Sequence, residues 1–356
     1  MSMRKAIVAC LTAGSTVVIG GSLGPVSPAG ADNVVGDAWV AGNFVGDARD
    51  EIFDYVGGAE LDLLITMGRV GPPGGDLDVQ NHPFNVGGNY LPVAGDFDGD
   101  NKDEIFWYGP GTTADSMWHF QSTSSAASVP YSVSGSYQPI VGDFTGDGVD
   151  DIFWYAPGAA GDPLWDFNQG GTYTSVSKNV GGTYTPVSVS IGKDNTDDIF
   201  WYGPGTAPDS LWDFTRGTTN YTTRSMPVNG VYRPVAVDML GEGWRGDDIY
   251  FHSTSGGASP VWDFWMGQNF PFSETDSPGA GTFDGLVGDF FADTQEDIFW
   301  SSVDTLRLWD HNGLTRYDYL FASPAAGADA RTGSGSGISA SDLPGTEATA
   351  TPLQER

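Results

Sequence analysis

A unit of about 48 residues recurs along this 356-residue chain, and the repetition constrains the fold more than any other feature. The segment GDFDGDNKDEIFWYGPG at 95–111 returns as GDFTGDGVDDIFWYAPG at 142–158. Weaker copies begin at Gly42, Val189, Val237 and Gly288. Each copy carries an isoleucine directly after a pair of acidic residues, and these six isoleucines are Ile52, Ile105, Ile152, Ile199, Ile249 and Ile298. The chain therefore contains six copies of one structural unit.

Every copy offers four short β-rich runs separated by Gly, Pro, Asn and Asp, and none shows helical periodicity of useful length. Four strands in about 48 residues is the size of one propeller blade. Radial stacking of blades would bury both faces of each sheet, which explains apolar runs such as Ile-Phe-Trp-Tyr that do not alternate with polar residues. A linear β-solenoid would need capping elements, which the sequence lacks. We therefore predict an all-β fold, a β-propeller of four-stranded antiparallel blades, with six blades and with seven as the alternative.

The two ends of the chain are predicted to lie outside this domain. Residues 1–31 begin with Arg4 and Lys5, continue with a modest apolar run and end at small residues, as in a secretory signal cleaved after Ala31. The domain is expected at 32–322, with units at about 36–88, 89–135, 136–182, 183–229, 230–280 and 281–322. Residues 323–356 are rich in Ala, Gly, Ser, Thr and Pro and are expected to be a disordered tail. The sequence thus predicts a secreted, extracellular protein.

The net charge of −31 excludes several classes of partner. A nucleic-acid-binding protein needs a basic face to displace counterions from phosphates, and this chain has 15 Lys and Arg against 46 Asp and Glu. No segment is long and apolar enough for insertion into a membrane. The only cysteine, Cys10, lies in the predicted signal, so the exported chain must be stabilised by its core or by metal ions rather than by disulfides.

The acidic loop of each copy is the candidate metal site. In copy two, oxygen ligands stand at every second position, as in loops that wrap a hard cation such as Ca²⁺. The candidate ligands are the carboxylates of Asp96, Asp98, Asp100 and Glu104 and the backbone carbonyl of Lys102. Copy three offers Asp143, Thr145, Asp147, Asp151 and the carbonyl of Val149, and copy six offers a weaker set, Asp289, Asp293, Gln295 and Asp297. We predict one to three structural Ca²⁺ sites, with metal-free turns capped by Asp side chains in copies one, four and five.

With these loops, the chain resembles the FG-GAP/VCBS repeat family, which forms the propellers of integrin α-subunits and of many secreted bacterial proteins. The resemblance rests on the Asp-rich loop, the apolar run and the turn that follows it, as in Tyr108-Gly109-Pro110-Gly111. It implies a propeller fold with calcium in the intact loops. Integrin-type rings usually have seven blades, whereas six copies are recognisable here.

Three functions are compatible with this pattern. The first is a non-catalytic binding or adhesion module for an extracellular glycan or protein, since aromatic faces stack on sugar rings. The regular tryptophans have a competing role in packing between blades. The second is a secreted hydrolase or lyase. The sequence does not favour it, because no catalytic motif is present and the histidines lie at different positions of the unit: His82, His119, His252 and His311. The third is a purely structural envelope protein. We predict the binding module, acting as a monomer and without catalytic residues.

Overall fold

The computed structural model describes residues 38–58, 61–158, 161–191, 194–238, 247–253, 257, 259–263, 270–274, 284–301, 306–312, 315–321 and 349–352. The predicted signal, most of the tail and part of the copy-five loop lie outside these ranges. The described residues contain no helix long and apolar enough to cross a membrane.

The described residues form six antiparallel sheets, each made of four strands that follow one another along the chain. Blade one contains β1 (Ala38–Gly42), β2 (Glu51–Tyr55), β3 (Asp62–Val70) and β4 (Asp76–Phe84). Blade two contains β5 (Leu91–Gly95), β6 (Glu104–Tyr108), β7 (Asp115–Ser122) and β8 (Ser125–Tyr131). Blade three contains β9 (Gln138–Gly142), β10 (Asp151–Tyr155), β11 (Asp162–Asn168) and β12 (Thr172–Lys178).

The second half of the ring repeats this arrangement. Blade four contains β13 (Thr185–Val189), β14 (Asp198–Tyr202), β15 (Ser210–Phe214) and β16 (Tyr221–Ser225). Blade five contains β17 (Tyr232–Val237), β18 (Asp248–Ser253), β19 (Ser259–Asp263) and β20 (Phe270–Glu274). Blade six contains β21 (Asp284–Gly288), β22 (Asp297–Ser301), β23 (Leu306–Asn312) and β24 (Thr315–Phe321), and β25 (Thr349–Pro352), from the segment predicted to be a disordered tail, pairs with β24.

The six blades close into a ring, so the prediction of a six-bladed β-propeller is confirmed. The first strand of each blade contacts the first strand of the next, and β21 of blade six contacts β1 of blade one. Six apolar clusters fill the six spaces between neighbouring blades. The apolar runs of the second strands are buried along their whole length because both of their faces meet such a cluster.

The Tyr-Gly-Pro-Gly turn joins neighbouring blades on the face of the ring opposite the acidic loops. In blade two, the hydroxyl of Tyr108 donates to the carbonyl of Gly135 at 2.9 Å and accepts from the backbone N–H of Tyr137 at 2.9 Å. Gly111 and Gly135 also form an isolated antiparallel bridge. The Tyr55, Tyr155 and Tyr202 hydroxyls make the same pair of contacts in other blades. The turn that carries the family resemblance is therefore a repeated connection to the next blade.

Candidate functional site

The acidic loops connect the first and second strands of the blades, and their first acidic residue organises the turn. In blade two, the Asp96 carboxylate accepts backbone N–H groups of Gly99 at 2.7 Å, Asp100 at 3.1 Å and Asn101 at 2.8 Å. Asp143 of blade three receives the same three kinds of contact, and Asp289 of blade six receives two. Each loop is therefore held in a tight turn by Asx-type hydrogen bonds.

Two groups of potential metal ligands converge in blade two, and they are the groups of this kind found among the described residues. Ligand atoms of Asp96, Asp98 and Asp100 lie within 4.8 Å of one another, and so do those of Asp98, Glu104 and His119. His119 Nδ1 lies 3.2 Å from Asp98 Oδ2 and 3.2 Å from Glu104 Oε1. The structure therefore brings four predicted ligands together and adds a histidine that was not among them. The Lys102 ammonium lies 3.2 Å from Asp100 Oδ2.

His119 enters from β7, the third strand of the blade. It follows Trp118 as Asp166 follows Trp165, Asp213 follows Trp212 and Asp310 follows Trp309. That replacement of an acid by an imidazole was the sequence signal for this residue. The third strand lies outside the acidic loop, to which the predicted ligands were confined.

Burial makes two carboxylates of the blade-two loop, those of Glu104 and Asp96, harder to ionise than in water. Desolvation raises the pKa of Glu104 to about 7, and the hydrogen bond from His119 opposes this shift. Desolvation also raises the pKa of Asp96. The hydrogen bond with Glu104 raises the pKa of His119. The cluster thus gains free energy from any positive charge placed among its oxygen atoms.

In blade three, the residues aligned with Asp98 and Glu104 have buried oxygens without a hydrogen-bond partner. These atoms are Thr145 Oγ1 and Asp151 Oδ2, and the two residues are 6% and 0% exposed. Desolvation raises the pKa of Asp151 to about 9, with a further contribution from the charge of Asp166. Asp147 Oδ1 accepts the backbone N–H of Val149 at 3.0 Å. Blade three therefore has two buried side-chain oxygens without a hydrogen-bond partner.

In blade six, an arginine of the chain itself occupies the corresponding place. The Arg69 guanidinium, from β3 of blade one, contacts Asp293 and lies 3.2 Å from Asp310 Oδ2. Its Cζ also lies 4.4 Å from the centre of the Phe291 ring. Asp297 is fully buried and accepts the backbone N–H groups of Phe290 and His311. The backbone N–H of Gln295 points to Asp293 Oδ1 at 3.4 Å. The role of Arg69 was not predicted from the sequence, because Arg69 lies 224 residues from Asp293.

A second acidic feature, the axial ring, lies at the centre of the propeller. It consists of the residue two positions before each repeat isoleucine: Asp50, Asp103, Asp150, Asp197, Asp247 and Glu296. Each carboxylate accepts the backbone N–H that opens the acidic loop of the preceding blade, at 2.7–2.9 Å. Each residue also donates its own N–H to the carbonyl of that same loop residue, at 2.8–3.4 Å. The junction between blades six and one, Asp289 with Asp50, has the same pair of bonds.

The axial ring lines a cavity of about 260 Å³, in which no Lys, Arg or His is among the lining residues. The carboxylates lie deep in the protein but keep a small accessible surface toward this cavity. Desolvation raises the pKa of Asp103 and Asp197 to about 6 and that of Asp50 and Asp247 to about 7. The charge of Asp103 contributes to the shift of its neighbour Asp50. The ring therefore carries less negative charge at neutral pH than its six acids would carry in water.

Three tryptophans of the third strands, Trp165, Trp212 and Trp309, share one arrangement, which Trp118 of blade two does not have. Tyr173 stacks on Trp165 with ring centres 4.0 Å apart and planes 16° apart, and Tyr221 stacks on Trp212 at 3.9 Å and 8°. The Arg316 guanidinium covers Trp309 at 4.1 Å. The strand register places Ala126 of blade two at the position of Tyr173, Tyr221 and Arg316.

Trp118 therefore has an indole face on which no side chain of its own blade is stacked. Its aromatic neighbours are Phe53, Phe84 and Trp107, at interplanar angles of 88°, 45° and 71°, and no parallel partner is present among the described residues. Trp118 and Phe84 are both half-buried. Trp107, Trp154, Trp201 and Trp300, in contrast, are buried between blades, as the packing hypothesis predicts.

The four histidines lie on strands of four different blades: His82 on β4, His119 on β7, His252 on β18 and His311 on β23. His252 and His311 are fully buried. Desolvation lowers the pKa of His311 to about 4, and its Nδ1 lies 2.7 Å from the carbonyl of Glu296. The four histidines therefore do not come together in one place.

No family model and no curated protein matches this sequence. Among solved structures, a lectin of Agrocybe aegerita, described as recognising non-reducing terminal N-acetylglucosamine, superposes with a TM-score of 0.53. The two chains are 15% identical, and the match covers 80% of this chain and 79% of the lectin. At this identity, the likeness establishes that the two proteins share a β-propeller fold.

Proposed function

We propose that this protein is a secreted, non-catalytic glycan-binding propeller of the FG-GAP/VCBS type, stabilised by calcium. The observation that carries glycan binding is that the half-buried indole of Trp118 has no flat group stacked on it in parallel. Blades three, four and six place a flat group about 4 Å from the corresponding tryptophan, whereas blade two has the small Ala126 at that position.

A pyranose ring matches this opening in shape and chemistry. The apolar face of a sugar ring stacks on an aromatic side chain, while its hydroxyl groups need polar partners at the rim. Ser128 is paired directly opposite Trp118, and Ser116 lies two residues before it, so both lie on the same face of the sheet. Tyr173 in blade three gives an internal template for a ring stacked in parallel at van der Waals distance.

Calcium is supported by the oxygen-rich loops of blades two and three. Asp96, Asp98 and Asp100 place ligand atoms within 4.8 Å of one another, and Thr145 and Asp151 have buried oxygens without a partner. Hard divalent cations take such carboxylate, hydroxyl and carbonyl oxygens. The placement of the four histidines in four different blades and the fold shared with a lectin support binding rather than catalysis.

The test introduces at position 126 the tyrosine that blades three and four carry at the corresponding position. Ala126→Tyr is expected to reduce the affinity for N-acetylglucosamine-terminated oligosaccharides at least about tenfold in titration calorimetry, because the new ring would take the place of the sugar. Val129→Tyr, on the opposite face of the same strand, is the matched control and should leave the affinity unchanged. A glycan array first establishes which terminal sugar the wild-type protein binds.

Two results would overturn the proposal. One is a wild-type protein, loaded with calcium, that binds no glycan on the array. The other is an Ala126→Tyr variant that binds the identified glycan as tightly as the wild-type protein does, which would place the site elsewhere.

A further inference from the structure

We propose that Asp98, Glu104 and His119 form a binding site for Zn²⁺ in blade two, which shares Asp98 and Glu104 with the proposed calcium site of the same loop, so that the two ions compete there. This inference goes beyond glycan binding and does not depend on it. It assigns a nitrogen-containing ligand set to one of the six blades.

The ligand types favour zinc over calcium. Calcium in proteins is bound by oxygen ligands, whereas zinc takes imidazole nitrogen together with carboxylate oxygen, often with water completing the site. His119 Nδ1 lies 3.2 Å from one oxygen of Asp98 and 3.2 Å from one oxygen of Glu104. Two tetrahedral ligands at about 2.0–2.1 Å from a zinc ion are about 3.3–3.4 Å apart, so the two distances from His119 are close to the required spacing, and all three ligand atoms lie within 4.8 Å of one another.

The surroundings of the three side chains are compatible with entry and retention of an ion. The Glu104 side chain is 3% exposed, whereas those of Asp98 and His119 are 21% and 26% exposed. The second oxygen of Glu104 accepts the backbone N–H of Phe97 at 3.0 Å, which fixes the carboxylate with its other oxygen toward His119. A positioned carboxylate and two partly exposed ligands leave a coordination position for water.

Sibling blades give an independent indication that this place in the fold requires a cation. In blade six, the Arg69 guanidinium bridges Asp293 and Asp310, and Asp310 is the residue aligned with His119. In blade three, Thr145 Oγ1 and Asp151 Oδ2, aligned with Asp98 and Glu104, are buried without a partner. One blade thus supplies a cation from its own chain, and another holds two buried oxygens without a hydrogen-bond partner at this place.

The experiment titrates Zn²⁺ into the tag-free, metal-stripped full chain in the presence of about 1 mM Ca²⁺. We expect one zinc ion per chain at this site, and His119→Asp should weaken binding at least about tenfold, as loss of a nitrogen ligand requires. The variant introduces the residue that blades three, four and six carry at this position, so it should instead bind calcium more tightly. Co²⁺ in place of zinc should show the visible absorption of an imidazole-bound ion in the wild-type protein only.

Controls separate this site from surface binding and from glycan binding. His82→Ala, a half-buried histidine of blade one, should leave the zinc affinity unchanged. Ala126→Tyr should also leave it unchanged, because Trp118 and His119 are adjacent in β7 and lie on opposite faces of the sheet. If His119→Asp does not give the circular dichroism spectrum of the wild type, His119→Asn replaces it in the comparison.

Equal zinc affinity in the wild type and in the folded His119 variant would overturn the proposal. So would an absence of zinc binding to the wild-type protein, in which case His119 serves only as a hydrogen-bonded partner of the two carboxylates. Loss of zinc binding in His82→Ala would show that the ion sits at the surface of blade one.

Discussion

Replacement of Asp103 by Asn should change the pH dependence of stability in a defined direction. Asp103 belongs to the axial ring, where desolvation raises its pKa from the ordinary 3.8 to about 6. A raised pKa means that the folded state holds its proton more tightly than the unfolded state does. The stabilising contribution of this group is therefore complete below about pH 4 and is lost as the pH rises through about 6.

The size of the effect follows from this shift. One pKa unit corresponds to about 1.4 kcal/mol. A carboxyl with a pKa of about 3.8 in the unfolded state and about 6 in the folded state therefore contributes about 3 kcal/mol to the free energy of unfolding when it is fully protonated. About 2 kcal/mol of this contribution is lost between pH 4.5 and 7.5, because the unfolded carboxyl is already largely ionised at pH 4.5. The backbone N–H of Asn43 lies 2.7 Å from Asp103 Oδ2, and the amide introduced by Asp103→Asn still offers it an oxygen acceptor but carries no charge.

The free energy of unfolding of Asp103→Asn minus that of the wild type should therefore rise by about 2 kcal/mol from pH 4.5 to 7.5. The charge of Asp103 also raises the pKa values of Asp50 and Asp150, so its removal lowers these two pKa values. This second effect also increases the stability of the variant relative to the wild type at high pH. Urea denaturation at both pH values gives the measurement. Asp78→Asn, at an exposed position of β4, controls for net charge. A difference between Asp103→Asn and the wild type that stays constant with pH would refute the electrostatic account of the axial ring.

Two further predictions follow from the loops. Arg69→Met should lower the free energy of unfolding by about 3–5 kcal/mol in urea denaturation, because it leaves Asp310 buried and without its cation. A loss below about 1 kcal/mol would contradict the bridging role. Arg69→Lys serves as a charge-retaining control. Addition of about 1 mM Ca²⁺ to the metal-free protein should stabilise it by about 1.4 kcal/mol if the dissociation constant is about 0.1 mM, which corresponds to a rise of about 2–4 °C in Tm. Asp147→Asn should reduce this gain. An unchanged Tm on addition of Ca²⁺ would contradict a structural role of calcium.

The architecture could be predicted because it depends on features that recur in the sequence. The Ile-Phe-Trp-Tyr runs mark the second strands, and the turns around them limit each unit to four strands. Six recognisable copies correspond to six blades, so no additional blade has to be assembled from an unrecognised segment. Local periodicity is sufficient here because each blade is built from strands that are neighbours along the chain.

The candidate site was only partly predictable because its remaining members come from other strands and other blades. His119 reaches Asp98 from a strand that follows the loop, and Arg69 reaches Asp293 across the junction of blades one and six. The axial ring consists of the first residue of each acidic pair, whereas the predicted loop ligands include only the second. These first acids recur in every copy, but their meeting at the centre follows only from closure of the ring, and the contacts of His119 and Arg69 depend on which strands become neighbours in the folded chain.

The pair of axial hydrogen bonds is the same at all six blade junctions, including the one between blades six and one. Asp289 of blade six and Asp50 of blade one form the same pair of hydrogen bonds that joins the other neighbouring blades. Among the described strands, no blade contains a strand from the opposite end of the chain that would close the ring in another way. A chain whose order of blades is circularly permuted should therefore reach the same structure. For the same reason, duplication of a single unit adds a blade that carries its own axial hydrogen bonds, so the number of blades can change during evolution without new contacts at the axis.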